Sequence, residues 1–205
     1  MTLYFFLYSS TVDLGRYTIK DLPGSSGRLD VIVRCILSAL YKNGEFEKNV
    51  QIWVFLENYG TYIFDTESLE IVSTPRNELL FTDFFVKRIK DIRGKKESDT
   101  LSLKGMKQSS MDIFDALNYF KEKNYEIFVL SEKGRDFISV LKELRRFSNY
   151  IFLIGDQTGK IISSNRIKEM NLPNLSLSEI SYLASSVIRL IKLYLQFSKP
   201  KTKRN

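Results

Sequence analysis

Phe152-Leu153-Ile154-Gly155-Asp156-Gln157-Thr158-Gly159-Lys160 ends an apolar run in a loop bracketed by two glycines, and the segment after it has helical character. A buried strand that stops at such a loop before a helix is the place where open α/β sheets bind ligands. The loop is not a dinucleotide fingerprint, because the G-x-G-x-x-G spacing is absent. Nor is it a P-loop, since the interval from Gly155 to Gly159 is one residue too short and Ile161 stands where a magnesium-binding hydroxyl is needed. Taken alone it reads as a tight strand–helix turn. Two further strand ends share its form, however: Val129-Leu130-Ser131-Glu132-Lys133-Gly134, and Leu175-Ser176-Leu177-Ser178 ahead of an apolar helix. Three such loops side by side can enclose a small ligand of mixed polarity through backbone N–H and C=O groups.

Around these loops the chain alternates. The pattern predicts a strand over 100–103, a helix over 109–121, a strand over 126–130, a helix over 137–144, a strand over 150–154 and a helix over 163–170. A short strand near 175–177 and a long helix over 181–197 close it. Nearer the N-terminus, 3–8 reads as a first strand, and Leu29, Ile32, Val33, Ile36, Leu37 and Leu40 recur at steps of three and four, giving a helix over 28–41. A hairpin follows, 50–56 with 61–64 around Asn58-Tyr59-Gly60, then a helix over 77–91. Strands alternating with helices define an α/β fold with a mostly parallel sheet covered by helices on both faces. The 181–197 helix is apolar almost all round, so it is expected to be buried on more than one side and to form a subunit interface in a homodimer.

Lys and Arg number 31 against 24 acidic residues in 205, a net charge of +7 that favours anionic partners. The densest basic segment runs from Lys87 through Arg88, Lys90 and Arg93 to Lys95 and Lys96; it reads equally as a solvated helix end and as a nucleic-acid contact. There is no histidine, and Cys35 is the lone cysteine. That excludes histidine-based acid–base catalysis, Ser-His-Asp and Cys-His centres, zinc fingers and an internal disulfide, and no metal is called for. The apolar run at 187–195 is interrupted by Arg189 and Lys192 and falls far below the roughly 20 residues of a membrane span. The expectation is a soluble cytoplasmic protein with no membrane partner, one domain over 1–198, and a basic tail over 199–205 that is either an arm or a solubility tail.

Asp21-Leu22-Pro23-Gly24-Ser25-Ser26-Gly27-Arg28-Leu29-Asp30, followed by Arg34-Cys35 and Ser38-Ala39-Leu40, resembles the N-terminal signature of the archaeal tRNA pseudouridine-54 N1-methyltransferases, the TrmY type of the SPOUT class. The three loops above occur in that family's order, and the likeness covers most of the chain. It implies a C-terminal trefoil knot, S-adenosylmethionine bent into that knot, and two subunits joined there. Carried over by position, Leu130, Gly155, the stretch Leu177, Ser178, Glu179, Ile180, Ser181 and Tyr182, and Val187 would line the cofactor pocket. The family usually has glycine where Ser178 stands, and a cysteine with a neighbouring histidine where Val187 and Ser186 stand.

On this resemblance the substrate is tRNA, whose target base must be unstacked to enter a pocket. The pseudouridine N1 proton needs an acceptor, and without histidine a carboxylate is the natural one: Asp30, supported by Arg28 and Arg34 as oxygen or phosphate anchors. The plainer reading of Asp30 is a favourable charge at a helix N-terminus. Arg16, Lys20, Arg28 and Arg34 are the expected RNA contacts. A non-catalytic RNA-binding dimer of the same fold, and a methyltransferase acting on ribosomal-RNA pseudouridine, are the alternatives.

Overall fold

The computed structural model describes residues 2–69, 74–94, 106–144 and 149–197. Its centre is strand β1 (Leu3–Ser9), buried along its whole length. Alternate side chains of β1 serve opposite cores. Phe5 and Leu7 enter one, while Tyr4, Phe6 and Tyr8 enter the other. A strand with both faces buried reads as a continuous apolar run, and that is what Leu3 to Tyr8 spells. Each fully buried Phe or Leu contributes about 1.5–3 kcal/mol of transfer free energy.

After β1 come the single turn α1 (Leu22–Ser25), helix α2 (Leu29–Leu40), the small hairpin of β2 (Tyr41–Lys42) and β3 (Glu45–Phe46), then β4 (Val50–Leu56), β5 (Gly60–Asp65) and helix α3 (Glu78–Arg93). The second half holds β6 (Met106–Ser109), α4 (Ile113–Glu122), β7 (Glu126–Asp136), α5 (Phe137–Leu144), β8 (Tyr150–Ile154), α6 (Asn165–Glu169), β9 (Asn174–Ser176) and α7 (Ala184–Phe197). Seven strands form one sheet in the order β6-β5-β4-β1-β8-β7-β9. The pairings from β4 across to β9 are parallel, and β5 is antiparallel to both β4 and β6. Residues of α2, α3, α5 and α7 pack on one face and those of α4 and α6 on the other.

Several boundaries differ from the sequence pattern. The strand expected over 100–103 lies outside the described residues, as do Lys95, Lys96 and the 199–205 tail; the strand seen ahead of α4 is β6. Helix α4 starts at Ile113 and not at Ser109, because Asp112 caps it and forms a reciprocal capping box with Asp115. Helix α6 is likewise delayed to Asn165 by the Ser164 cap. Strand β9 is Asn174–Ser176, one residue earlier than expected. Helix α7 begins at Ala184 and not at Ser181, and Ile180, Leu183 and Leu193 are 71, 62 and 43% exposed, so this chain by itself leaves part of the apolar helix and its approach uncovered.

Strand β7 also runs six residues past Leu130. Leu175 pairs with both Leu130 and Arg135, so the intervening loop bends around the β9 backbone. A Cβ on Gly134 would stand 2.5 Å from the carbonyl carbon of Leu175. Only a residue without a side chain permits that approach. It is the region in which the family resemblance places its knot.

Candidate active site

The parallel strands all run toward one edge of the sheet, and the 130–133 segment of β7 with the loops leaving β1, β8 and β9 surrounds a cavity of about 730 Å³ there. That volume suits a nucleoside-sized ligand. Its apolar wall includes Leu7, Ile32, Ile154, Leu175 and Leu177, and its polar groups come mainly from the loops. Of the residues expected at the cofactor pocket, Leu130, Gly155, Leu177, Ser178, Ile180, Ser181, Tyr182 and Val187 all line it, and Arg28 joins them from the residue just before α2. Glu179 and Asp30 do not. Arg16 and Lys20 are exposed on the loop after β1 and are likewise outside the lining.

The loop after β9 is held by its own hydroxyls. Ser176 Oγ donates to the Ser178 carbonyl at 2.7 Å and accepts from the Ser178 amide, and the Ser178 hydroxyl accepts from the Ile180 amide at 3.1 Å. Ser178 is not among the described residues with positive φ, so a serine is accommodated without backbone strain where the resemblance implies a glycine. Opposite, Asp156 ties the loop after β8 to the loop after β1. Its Oδ2 accepts from the Ser10 amide at 2.6 Å and the Ser10 hydroxyl at 2.7 Å, and its Oδ1 accepts from the Thr158 amide and hydroxyl. Burial opposes its charge, but these donors outweigh burial and keep the carboxyl below its usual range.

At the start of α2 the backbone is left-handed at both Gly27 (φ 59°) and Arg28 (φ 71°). Thr11 explains the first: a Cβ at position 27 would fall 1.8 Å from its carbonyl oxygen. With Arg28 in an unusual conformation for its residue type, its side chain is turned back onto the first turn of the helix. Arg28 Nε and Nη2 donate to the two oxygens of Asp30 at 3.1 and 3.3 Å, and Arg34 Nη2 donates to Asp30 Oδ2. Ser26 supplies the cap, its hydroxyl accepting from the Leu29 amide and donating to the Leu22 carbonyl. Asp30 is 3% exposed. Burial raises its pKa, and the two guanidiniums more than reverse this, leaving the carboxyl below its ordinary range. Arg34 also approaches Glu78 of α3 at 3.8 Å.

Tyr8, Thr11, Glu132 and Asp156 belong to the cavity wall; the sequence pointed to Glu132 and Asp156 only as members of their loops, and to Tyr8 and Thr11 not at all as site residues. The signal for three of them was available. They stand within two residues of a strand's carboxyl end, where an open sheet places its ligand. Burial and the neighbouring Glu57 push the Tyr8 hydroxyl up to about 12, so it remains protonated.

An α/β sheet with a cavity bounded by the 131–134 segment of β7 and the loops after β8 and β9, with that segment folded against β9, is the fold class that the resemblance implied, an α/β RNA-methyltransferase architecture. The crystal structure of Archaeoglobus fulgidus Nep1 bound to S-adenosylhomocysteine is similar over 97% of this chain and 99% of that one, with a TM-score of 0.66 at 14% identity. Residues 1–198 match the family described as "Putative SAM-dependent RNA methyltransferase", and the chain belongs to it. Among its relatives are the tRNA (pseudouridine(54)-N(1))-methyltransferases of Pyrococcus abyssi, 29% identical over 87% of this chain and 89% of the relative, and of Methanococcoides burtonii, 30% identical over 86 and 87%. Its cofactor is S-adenosylmethionine.

Proposed function

We propose that the protein methylates N1 of pseudouridine 54 in tRNA. The observation that carries this is the pairing of a nucleoside-sized cavity on the three loops with an arginine–carboxylate cluster at one side of it, in a chain that matches relatives of that activity almost end to end. S-adenosylmethionine supplies an activated methyl group. The chain's own residues then have three tasks: to hold the cofactor, to hold the base, and to ease loss of the N1 proton.

Leu130, Gly155, Leu177, Ser178 and Val187 hold the cofactor, with Ile180, Ser181 and Tyr182 beside them on the cavity wall. Arg28 holds the base. Its guanidinium is about two-fifths exposed at the cavity wall, where it can donate to a uracil oxygen as the ring takes on negative charge. Asp30 acts through Arg28 as a positioning residue. A carboxylate shared by two guanidiniums and held below its ordinary pKa is a weak base, so in this reading the N1 proton passes to solvent at the open mouth. Arg16, Lys20 and Arg34 lie on the α1–α2 side and serve flanking phosphates.

The exposed Ile180, Leu183 and Leu193 form the face for a second copy, and residues 1–198 act as one unit with the 199–205 tail appended. No helix among the described residues is long and apolar enough to cross a membrane. In this reading the protein works in the cytoplasm, alongside its tRNA substrate. The test is nucleoside mass spectrometry of tRNA carrying pseudouridine 54, incubated with protein and S-adenosylmethionine. A gain of one methyl group at that nucleoside, absent when uridine occupies the position, is expected. RNA binding without transfer would replace this reading by that of a non-catalytic dimer.

A further inference from the structure

Two carboxylates belong to the cavity wall, Glu132 and Asp156. Asp156 commits both oxygens to the amides and hydroxyls of Ser10 and Thr158. Glu132 is differently placed. It sits on the exposed loop between the two β7 residues that pair with Leu175, and its charge is favoured by its own backbone N–H and by the Ser181 hydroxyl. A carboxylate offers about four lone-pair sites, so this leaves capacity for a ligand. The wall also carries the cations Arg28 and Lys133, in a protein of net charge +7. A positively charged ligand entering this cavity therefore meets one carboxylate not consumed by the fold.

We infer that Glu132 is the counter-charge for the sulfonium of S-adenosylmethionine and lets the cavity tell the charged methyl donor from its neutral thioether product. This rests on the methyltransferase reading. During transfer the bond between sulfur and the methyl carbon breaks, the bond between that carbon and N1 forms, the sulfur keeps the electron pair, and the N1 proton leaves to solvent. The positive charge on sulfur is thereby lost. A carboxylate beside it attracts the cofactor before transfer and has no cation there afterwards, which favours release of product. A contact from Glu132 to the ribose hydroxyls or the α-amino group would not discriminate, because neither changes in the reaction.

The experiment is calorimetric titration of the wild type and Glu132→Gln with S-adenosylmethionine, with sinefungin, which carries an ammonium in place of the methylated sulfonium, and with S-adenosylhomocysteine. Glutamine keeps the side chain's shape and can still accept from Ser181. The wild type should bind the two cationic ligands more tightly than S-adenosylhomocysteine. In the variant those two should weaken by roughly three- to fivefold, as for an exposed ion pair, while S-adenosylhomocysteine is nearly unchanged. Equal losses for all three ligands would put Glu132 on the ribose or the amino group and overturn the inference, as would no loss at all. A wild-type protein that binds none of the three would instead overturn the methyltransferase reading. Residue 132 is exposed, so the variant is expected to keep its fold, and its thermal midpoint checks this.

Discussion

The ammonium of Lys192, in a side chain only 6% exposed, lies 2.9 Å from the carbonyl oxygen of Ala39. It also donates to the carbonyls of Ser38 and Tyr41 at 2.9 and 3.0 Å, so a residue of α7 satisfies the unpaired C-terminal turn of α2. Glu47 Oε2 stands 3.3 Å away as partial counter-charge. Burial pulls the Lys192 pKa below its ordinary value, and Glu47 pushes the other way. This contact fixes α7, which carries Val187, against α2, which Arg28 immediately precedes. Lys192→Met should destabilise the fold by about 3 kcal/mol, because three carbonyls and a buried carboxylate lose their cation. Chemical denaturation reads this directly, and adding Glu47→Leu should restore part of the loss.

Cys35 is expected to be inert. It is fully buried on α2, and burial pushes its thiol up to about 12. Alkylation near neutral pH should leave the native protein and its cofactor affinity unaltered, and should go to completion only in denaturant. Rapid modification of the folded protein, followed by mass spectrometry, would contradict this.

The legible parts of the fold were those where local pattern and tertiary need agree. The 3–8 run announced the central strand because a doubly buried strand is apolar at every position, and the 28–41 periodicity marked α2 because one face alone meets the core. Boundaries at Asp112 and Ser164 shifted because a cap is set by one side chain, not by periodicity. The bend of the β7 loop around β9 was illegible from composition, since a pairing of Leu175 with both Leu130 and Arg135 leaves no mark in either segment except a glycine at 134. Of the site, the loops were legible by position. Arg34 meets Asp30 at ordinary i,i+4 helical spacing, whereas the bidentate hold of Arg28 on Asp30 was not legible, because it depends on a left-handed arginine.

Gly134 and Gly155 should answer differently to added bulk. At 134 a Cβ meets the Leu175 backbone at 2.5 Å, and backbone on two paired strands cannot step aside. At 155 it meets the end of the Ile162 side chain at 2.8 Å, which can rotate. Gly134→Ala should therefore fold poorly, visible as loss of a cooperative thermal transition. Gly155→Ala should fold, and Gly155→Val should fold while driving Ile162 into the cavity and weakening cofactor binding. Full affinity in a folded Gly155→Val variant would remove that loop from the site.

If α7 carries the subunit interface, a charge at Leu193 should divide the dimer. Leu193 is 43% exposed and outside the cofactor cavity, so Leu193→Glu tests association apart from binding. Sedimentation should give twice the 23.9 kDa chain mass for the wild type and a smaller, concentration-dependent mass for the variant. A wild type that sediments as a single chain at micromolar concentration would end the proposal.

Asp30 and Arg28 can be separated by charge and by geometry. Asp30→Asn keeps the side-chain shape but loses the ionic hold on Arg28 and Arg34, while Arg28→Lys keeps a cation but loses the planar fork. If Asp30 positions Arg28, both variants should lower turnover by a similar factor, on the order of 10 to 10², with cofactor affinity unchanged. If Asp30 were instead the proton acceptor, Asp30→Asn would cost roughly 10² to 10⁴ and Arg28→Lys far less. Acid titration gives an independent reading. The folded carboxyl is held below its unfolded value of 3.8, so its contribution to stability is fully present above that pH and is lost as the pH falls through the folded pKa. Wild type should therefore lose stability more steeply than Asp30→Asn below about pH 4. Single-turnover rates and acid melting curves on the same two proteins decide between them: equal acid slopes together with a far larger rate loss in Asp30→Asn would restore the general base.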